Sequence, residues 1–371
     1  MIEFRLPSLG ADMTEGKLLA WHVQPGDSVK RGQVVAVVDT SKAAIDVEIW
    51  QDGVVQELLV PVGDKVPVGT VLATLRAPGE VPKEAPAMPT EPTAPPAATK
   101  QDKAALAESE KAPTKASAVS ATTPVSSPVA APVPAAQRTL PAAPDRQLNM
   151  RQAIAAAMSR SKREIPHYYL AETFSVQVAM DWLQQRNAGL PITERLLPAV
   201  LLLKAVAVAL QRAPELNGFY RDGQFHPGAA VHAGVAISLR GGGLVAPAIL
   251  DAQRKPLEQL MRELADLVRR ARAGSLRSSE MSDATITITN LGDQAIESVF
   301  GVIYPPQVAL VGFGGIATRP WVVGGVVCAQ PVLCATLAAD HRVSDGHRGA
   351  MFLAELRDLL QQPQRLDGGA P

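Results

Sequence analysis

Between residues 80 and 145 the chain contains no glycine, isoleucine, phenylalanine, tyrosine or tryptophan, while 13 of its 31 prolines fall there among Ala, Thr, Ser and Val. Such a stretch has too little apolar surface to build a core and is expected to stay unfolded. Mixed Ala and Pro favour extended, polyproline-like conformations, so the segment reads as a semi-rigid spacer. At about 3.1 Å per residue its reach is at most roughly 200 Å. The 371 residues must therefore fold as separate bodies, one over 1–77 and one over 147–371, with a linker over 78–146.

The first body is an internal repeat. Residues 16–38 and 53–75 match at an offset of 37, pairing Gly16/Gly53, Val23/Val60, Gly26/Gly63, Asp27/Asp64, Val29/Val66, Gly32/Gly69, Val34/Val71 and Ala36/Ala73. Pro25-Gly26-Asp27 and Val62-Gly63-Asp64 are turn signals at equivalent places. Gln33–Val38 and Ile45–Trp50 are β-branched runs on either side of Asp39-Thr40-Ser41-Lys42-Ala43. Two short repeats that each bury half a core predict a small flattened barrel of two sheets, with Lys42 at a hairpin tip. The equivalent of Lys42 in the second half is Gly79, where the domain runs out. A pseudo-twofold would therefore set the lysine opposite the exit to the linker. A lysine on a turn is ordinarily a solvated surface residue. In a duplicated half-sheet it suggests a modification site, a candidate carrier of covalent cargo.

Composition narrows the function. The 36 basic and 36 acidic residues balance, which gives no case for nucleic acid as a partner. Cys328 and Cys334 are the only cysteines, so neither a disulfide framework nor a CxxC metal site is expected. Residues 1–30 lack the pattern of a signal peptide. The most apolar stretch, Leu196–Leu210, is shorter than a membrane span and contains Pro198 and Lys204. With no Arg/Ser-rich leader either, a cytoplasmic protein without a membrane segment is expected.

In the second body, Arg151–Arg163 reads as a helix stopped before Pro166. Thr193 is a candidate cap for a long apolar helix to Gln211, ended by Pro214. Leu257–Arg272 is amphipathic. Ala284–Asn290 alternates, with Thr285, Thr287 and Thr289 on one face and Ile286 and Ile288 on the other. Val308–Phe313 and Val332–Ala338 read as strands, and Asp345–Leu360 as a closing helix. Mixed strands and helices predict an α/β sandwich. His341-Arg342-Val343-Ser344-Asp345-Gly346 lies where a strand passes into a helix, a position that carries catalysis more often than a helix middle.

Leu6–Gly16 (LPSLGADMTEG), Pro25–Asp27 and Asp39–Ala43 (DTSKA) resemble the lipoyl domains of 2-oxo acid dehydrogenase complexes, over residues 2–76. Biotin carriers share that fold but usually flank the lysine with methionines, where Ser41 and Ala43 stand here. Ser41 also departs from the acidic residue usual before a lipoyl lysine. His341–Gly346 resembles the HxxxDG motif of coenzyme A-dependent acyltransferases of the chloramphenicol acetyltransferase type, whose two-layer α/β sandwich the dihydrolipoamide acyltransferases share. Ile165–Tyr169, Gly243–Pro247, Ile288–Gly292 and Pro305–Gln307 resemble the same domain in the same order, over most of 147–363.

The resemblance implies lipoate on Lys42 and coenzyme A as acceptor of an acyl group, acetyl first among acetyl, succinyl and branched-chain. It implies His341 as general base for the thiol and Thr289, in place of the usual hydroxyl before the Asn, as oxyanion donor. Asp345 would orient the loop, with Arg151 as a candidate partner. Histidine and hydroxyl meet across a subunit interface in the family, which implies at least a homotrimer. A 2-oxo acid decarboxylase, a dihydrolipoamide dehydrogenase and a lipoate ligase are the implied partners. The small helical domain that usually docks the first two is not evident; Gln101–Lys111 has too few apolar residues for one. The rival reading is a non-catalytic lipoyl carrier or scaffold. His167 and His347 receive no chemistry, His22, His226 and His232 have no metal spacing, and Gly241-Gly242-Gly243 lacks the lysine of a phosphate loop.

Overall fold

The computed structural model describes residues 2–9, 13–40, 44–76, 143–239 and 243–367. Lys42, Ser41, Gly79, Gly241, Gly242 and the Gln101–Lys111 segment lie outside the described residues.

The N-terminal domain is all-β: β1 (Ile2–Arg5), β2 (Glu15–Trp21), β3 (Ser28–Val29), β4 (Val34–Asp39), β5 (Ala44–Glu48), β6 (Gly53–Leu58), β7 (Lys65–Pro67) and β8 (Val71–Arg76). They form two sheets, ordered β1-β8-β6-β3 and β5-β4-β2-β7. The repeat is visible strand by strand, for β8 is β4 displaced by the sequence offset. Each half lends its short strand, β3 or β7, to the other half's sheet, so neither half is complete alone. The turns repeat as well. Gly26 and Gly63 have φ of 101° and 108°, a region that glycine enters without steric cost. Gly26 N–H donates to Val55 O and Gly63 N–H to the equivalent Leu18 O. The core takes equivalent residues from both halves: Leu18 with Val55, Val23 with Val60, Ala36 with Ala73. β4 and β5 are antiparallel, Asp39 opposite Ala44, so the segment that carries Lys42 joins two paired strands.

The C-terminal domain opens with α1 (Ala143–Glu164), which starts well before the predicted Arg151. β9 (His167–Ser175), α2 (Gln177–Asn187) and α3 (Pro198–Ala209) follow. Thr193 does not cap α3. It lies in a separate 3-10 turn, Ile192–Glu194, and α3 starts at Pro198 with no side-chain cap. Proline explains the shift: it excludes Leu197 from helical backbone, and at the first position its missing N–H is not needed. α3 is buried on nearly every side, including Lys204, whose Nζ donates to Gln253 O and Lys255 O at 2.7 Å each. Burial pulls the Lys204 ammonium down to about 8.

Next come the hairpin β10 (Gly218–Arg221) and β11 (Gln224–Pro227), the short strands β12 (Ala233–Val235), β13 (Ile237–Ser238), β14 (Leu244–Val245) and β15 (Ala248–Ile249), then α4 (Leu257–Ala273), β16 (Leu276–Arg277) and α5 (Ser278–Ser282). The chain closes with β17 (Ile286–Asn290), β18 (Ala309–Phe313), β19 (Ala317–Val323), β20 (Val326–Asp340), α6 (Gly346–Leu360) and α7 (Gln364–Asp367). The main sheet runs β15-β12-β17-β18-β20-β19, and β9 lies beside the C-terminal half of β20. Ile286 and Ile288 of β17 join the core shared with α3, α4 and α6. β20 is much longer than predicted, because its first half pairs with β19 outside the apolar run that the sequence marks. Among the described residues no helix is long and apolar enough to cross a membrane.

Candidate active site

His341 follows the last residue of β20. Its backbone N–H donates to Pro166 O at 2.9 Å, which ties it to the entry of β9. The ring is exposed and meets the edge of Tyr168, with centroids 5.2 Å apart. Tyr168 Oη and Ser344 Oγ share a hydrogen bond of 2.9 Å, so the aromatic wall is itself held by the motif's own loop. Burial pushes the Tyr168 hydroxyl up, which keeps it neutral beside the imidazole.

The residues on either side of the histidine set its direction. Asp340 is fully buried, and its carboxylate accepts from Arg342 N, Nε and Nη2 at 2.9, 3.0 and 2.7 Å. The Arg342 guanidinium also lies 3.9 Å above the Tyr220 ring on β10. This clamp turns the chain sharply at His341. Sequence reading passed over it, although an aspartate ending an otherwise apolar strand is a signal that could have found it. Replacing Arg342 with methionine strands a buried carboxylate, an expected loss of about 2 kcal/mol, below the roughly 3–5 kcal/mol of a fully buried pair because the arginine is partly exposed. Urea unfolding measures it; an unchanged midpoint would remove the clamp from the account.

Asp345 is the N-cap of α6. Its Oδ1 accepts from Arg348 N at 3.0 Å, which holds its carboxyl below the usual carboxylate range, with the charge of His341 a smaller contribution. Backbone N–H groups of α6, rather than an ion pair with Arg151, hold it among the described residues. The cap fixes the loop between β20 and α6.

His167 is a different kind of histidine. Nδ1 donates to Ile165 O at 2.8 Å and Nε2 accepts from Ile303 N at 3.1 Å. Those partners fix one neutral tautomer, and burial pulls its pKa down further. Both nitrogens are thus committed to the backbone, so the residue is structural.

Thr289 stands near the end of β17, half-buried, on the face that carries Thr285 and Thr287. That face is not an exposed one: Thr285 donates to Asn217 Oδ1 and Thr287 to Gln307 Oε1, at 2.5 and 2.7 Å. Gln307 in turn donates to Ala284 O, which gives the Pro305–Gln307 motif its work of bracing the strand. Asn290 Oδ1 accepts from Gly292 N at 2.8 Å and closes the turn after Thr289.

Within one chain Thr289 and His341 do not meet. Thr289 is opposite Gly312 on β18, and Gly312 is opposite Thr336 on β20. His341 lies five residues beyond Thr336, about 16 Å along the strand and two strand spacings, about 10 Å, to the side. The two side chains occupy opposite ends of the sheet.

Residues 145–367 match the family model described as 2-oxoacid dehydrogenases acyltransferase (catalytic domain), and residues 2–75 match that described as biotin-requiring enzyme. The chain is 30% identical to the dihydrolipoyllysine-residue acetyltransferase component of the pyruvate dehydrogenase complex of Staphylococcus aureus, and 27% identical to that of Zymomonas mobilis, over 98% of each chain. Its fold is similar to the solved dihydrolipoamide acetyltransferase of Azotobacter vinelandii, with a TM-score of 0.55 and 28% identity over 58% of this chain and 90% of that one. A probable dihydrolipoamide acetyltransferase of Listeria monocytogenes gives a TM-score of 0.52 at 27% identity, over 57% of this chain and 92% of that one. With a lipoyl-type barrel before it and a strand-end histidine at its edge, the C-terminal sandwich places this chain in the 2-oxoacid dehydrogenase acyltransferase family.

Proposed function

We propose that this chain passes an acetyl group from S-acetyl-dihydrolipoyl-Lys42 to coenzyme A as the transferase of a pyruvate dehydrogenase complex. The observation that carries this reading is the state of His341: an exposed imidazole held by its backbone at a strand end, where His167 has both nitrogens engaged. The described residues fit a lipoyl group, since β4 and β5 pair up to Asp39 and Ala44 and leave the Lys42 segment to join them. When bound, lipoate supplies the thioester. The rest is the work of this chain's residues.

A free thiol has a pKa of about 8.5, so coenzyme A arrives mostly protonated at neutral pH. His341 takes that proton as sulfur adds to the acyl carbonyl. The carbonyl oxygen gains negative charge in that step, and the Thr289 hydroxyl donates to it. As the carbonyl re-forms, the original thioester C–S bond breaks and His341 returns its proton to the departing sulfur. Asp345 holds the α6 end of the His341 loop and keeps its charge near the imidazolium that forms.

Since Thr289 and His341 lie at opposite ends of one sheet, His341 of one copy works with Thr289 of another, which makes the active form at least a dimer with closed symmetry; the family resemblance makes it a trimer. The Azotobacter enzyme's catalytic mechanism was examined at a serine, a histidine and an asparagine, whose sequence spacing is that of Thr289, His341 and Asp345 here. A 2-oxo acid decarboxylase would load the lipoyl group, a dihydrolipoamide dehydrogenase would reoxidise it, a lipoate ligase would attach it, and the cytoplasm is the expected site.

Thr289→Ala is expected to lower the transfer rate about 10²-fold, and Thr289→Ser to retain it. Co-refolding impaired Thr289→Ala chains with impaired His341→Ala chains should raise activity well above that of either alone, because some sites then combine an intact histidine with an intact threonine. No recovery in mixed assemblies of confirmed composition would refute the shared site.

A further inference from the structure

The lipoyl-type domain ends on one side at β5, an edge strand, and an unpaired edge invites another strand. In this chain the edge is occupied. β16 lies parallel to β5, Leu276 beside Ile45 and Arg277 beside Asp46. Side chains extend the contact: Glu48 N–H donates to Ser278 Oγ at 3.1 Å, and Ser279 Oγ donates to the Glu48 carboxylate at 2.5 Å. Glu48 and Ser278 are both buried, at 7% and 2% exposure. Met281 packs against the cores of both domains.

The receiving side is built firmly. Arg270 on α4 grips Glu280 with two hydrogen bonds of 2.6 and 2.5 Å, and Glu280 also accepts from Arg277 N at 2.9 Å. β16 and α5 are thereby fastened to the catalytic domain whether or not β5 is present. A two-residue strand followed by adjacent serines, aimed at a glutamate, is a small hydrogen-bonding receptor with Met281 as an apolar contact beside it. Such a contact is suited to release, unlike a core.

We propose that β16 and α5 form a docking site for the chain's own lipoyl-type domain, which seats its β5 edge there by strand addition between transfer steps. The segment that carries Lys42 leads directly into β5, so docking anchors the strand at its end. The dock also sits at a defined end of the main sheet. β17 begins just after α5, and its first residues lie level with the C-terminal end of β20, where His341 stands. The domain would therefore rest at the histidine end, with the strand that follows its lysine segment held. The carboxylate of Glu48 selects for this partner: in the undocked domain it is solvated, and in the docked one its hydrogen bonds come from Ser279.

Hydrogen exchange on the full chain tests the dock without reference to catalysis. Glu48 N–H points away from β4, and by the two-residue period of a strand so does Asp46 N–H. Both are protected only when β5 is covered. In wild type the peptide over residues 44–48 should exchange slowly. Ser279→Asp sets a second carboxylate against Glu48 and should speed that exchange at least tenfold, while peptides over residues 34–39, 71–76 and 309–313 stay unchanged. Adding Glu48→Lys to Ser279→Asp should restore protection by pairing opposite charges. Fast exchange in wild type, or protection that Ser279→Asp leaves intact, would overturn the dock. Failure of the double variant to recover would show that Ser279→Asp acts on α5 alone, and would overturn the Glu48 contact. If the dock stands and acyl transfer fails, the chain has a lipoyl-domain receptor without the proposed chemistry.

Discussion

Replacing His341 with alanine is expected to lower acyl transfer to coenzyme A by about 10³-fold, within the range that a positioned general base contributes. The fold should not suffer. The side chain is exposed, its ring meets that of Tyr168 edge-on, and its structural bond to Pro166 runs through the backbone, which alanine keeps. Asp340, Arg342 and the α6 cap are likewise untouched. The rate is measured with free acyl-dihydrolipoamide and coenzyme A, so that lipoylation plays no part. The pH profile separates a lost base from a damaged site. A variant without the base depends on thiolate already present, so its rate should climb about tenfold per pH unit until near the thiol pKa of about 8.5. A full rate at neutral pH, or a residual rate indifferent to pH, would remove His341 from the role of base.

Lys42→Ala should give the complementary result. Protein produced with lipoate available should show a mass gain of one lipoyl group in wild type and none in the variant. Turnover by the reconstituted complex should disappear, because no thioester can be delivered, while transfer from free acyl-dihydrolipoamide stays at the wild-type rate. Lys42→Arg should behave in the same way, since it keeps the charge but cannot form the lipoyl amide. An unmodified wild-type mass, or complex turnover that survives Lys42→Ala, would defeat the carrier role. Together the two variants divide the chain into a part that carries and a part that transfers.

The sequence displayed the barrel well because duplication makes the evidence count twice. The turn glycines, the strand boundaries and the core positions recur at one offset, and each half checks the other. β17 was equally plain, since one face meets helices and the other meets Asn217 and Gln307, so apolar and hydroxyl residues alternate strictly. The start of α3 was misread because a capping threonine and a proline at the first helical position compete as start signals, and Pro198 decided it by excluding Leu197 from the helix. The Asp340–Arg342 clamp was illegible for another reason. Its third member, Tyr220, is distant in sequence and is brought in by the β10–β11 hairpin. The role of His167 was hidden likewise, because Ile303 N, its second partner, comes from a segment with no periodic pattern.

The opposite placement of His341 and Thr289 also has a genetic consequence. If, as proposed, each chain lends its histidine to one site and its threonine to another, a chain defective in both spoils two sites wherever it is incorporated. In a cell that makes both versions, the defective one would depress activity by more than its share of the protein, and the trait would be dominant. A chain defective in only one of the two positions spoils a single site. The inheritance pattern of such alleles therefore reads out the architecture of the site without any structure being solved.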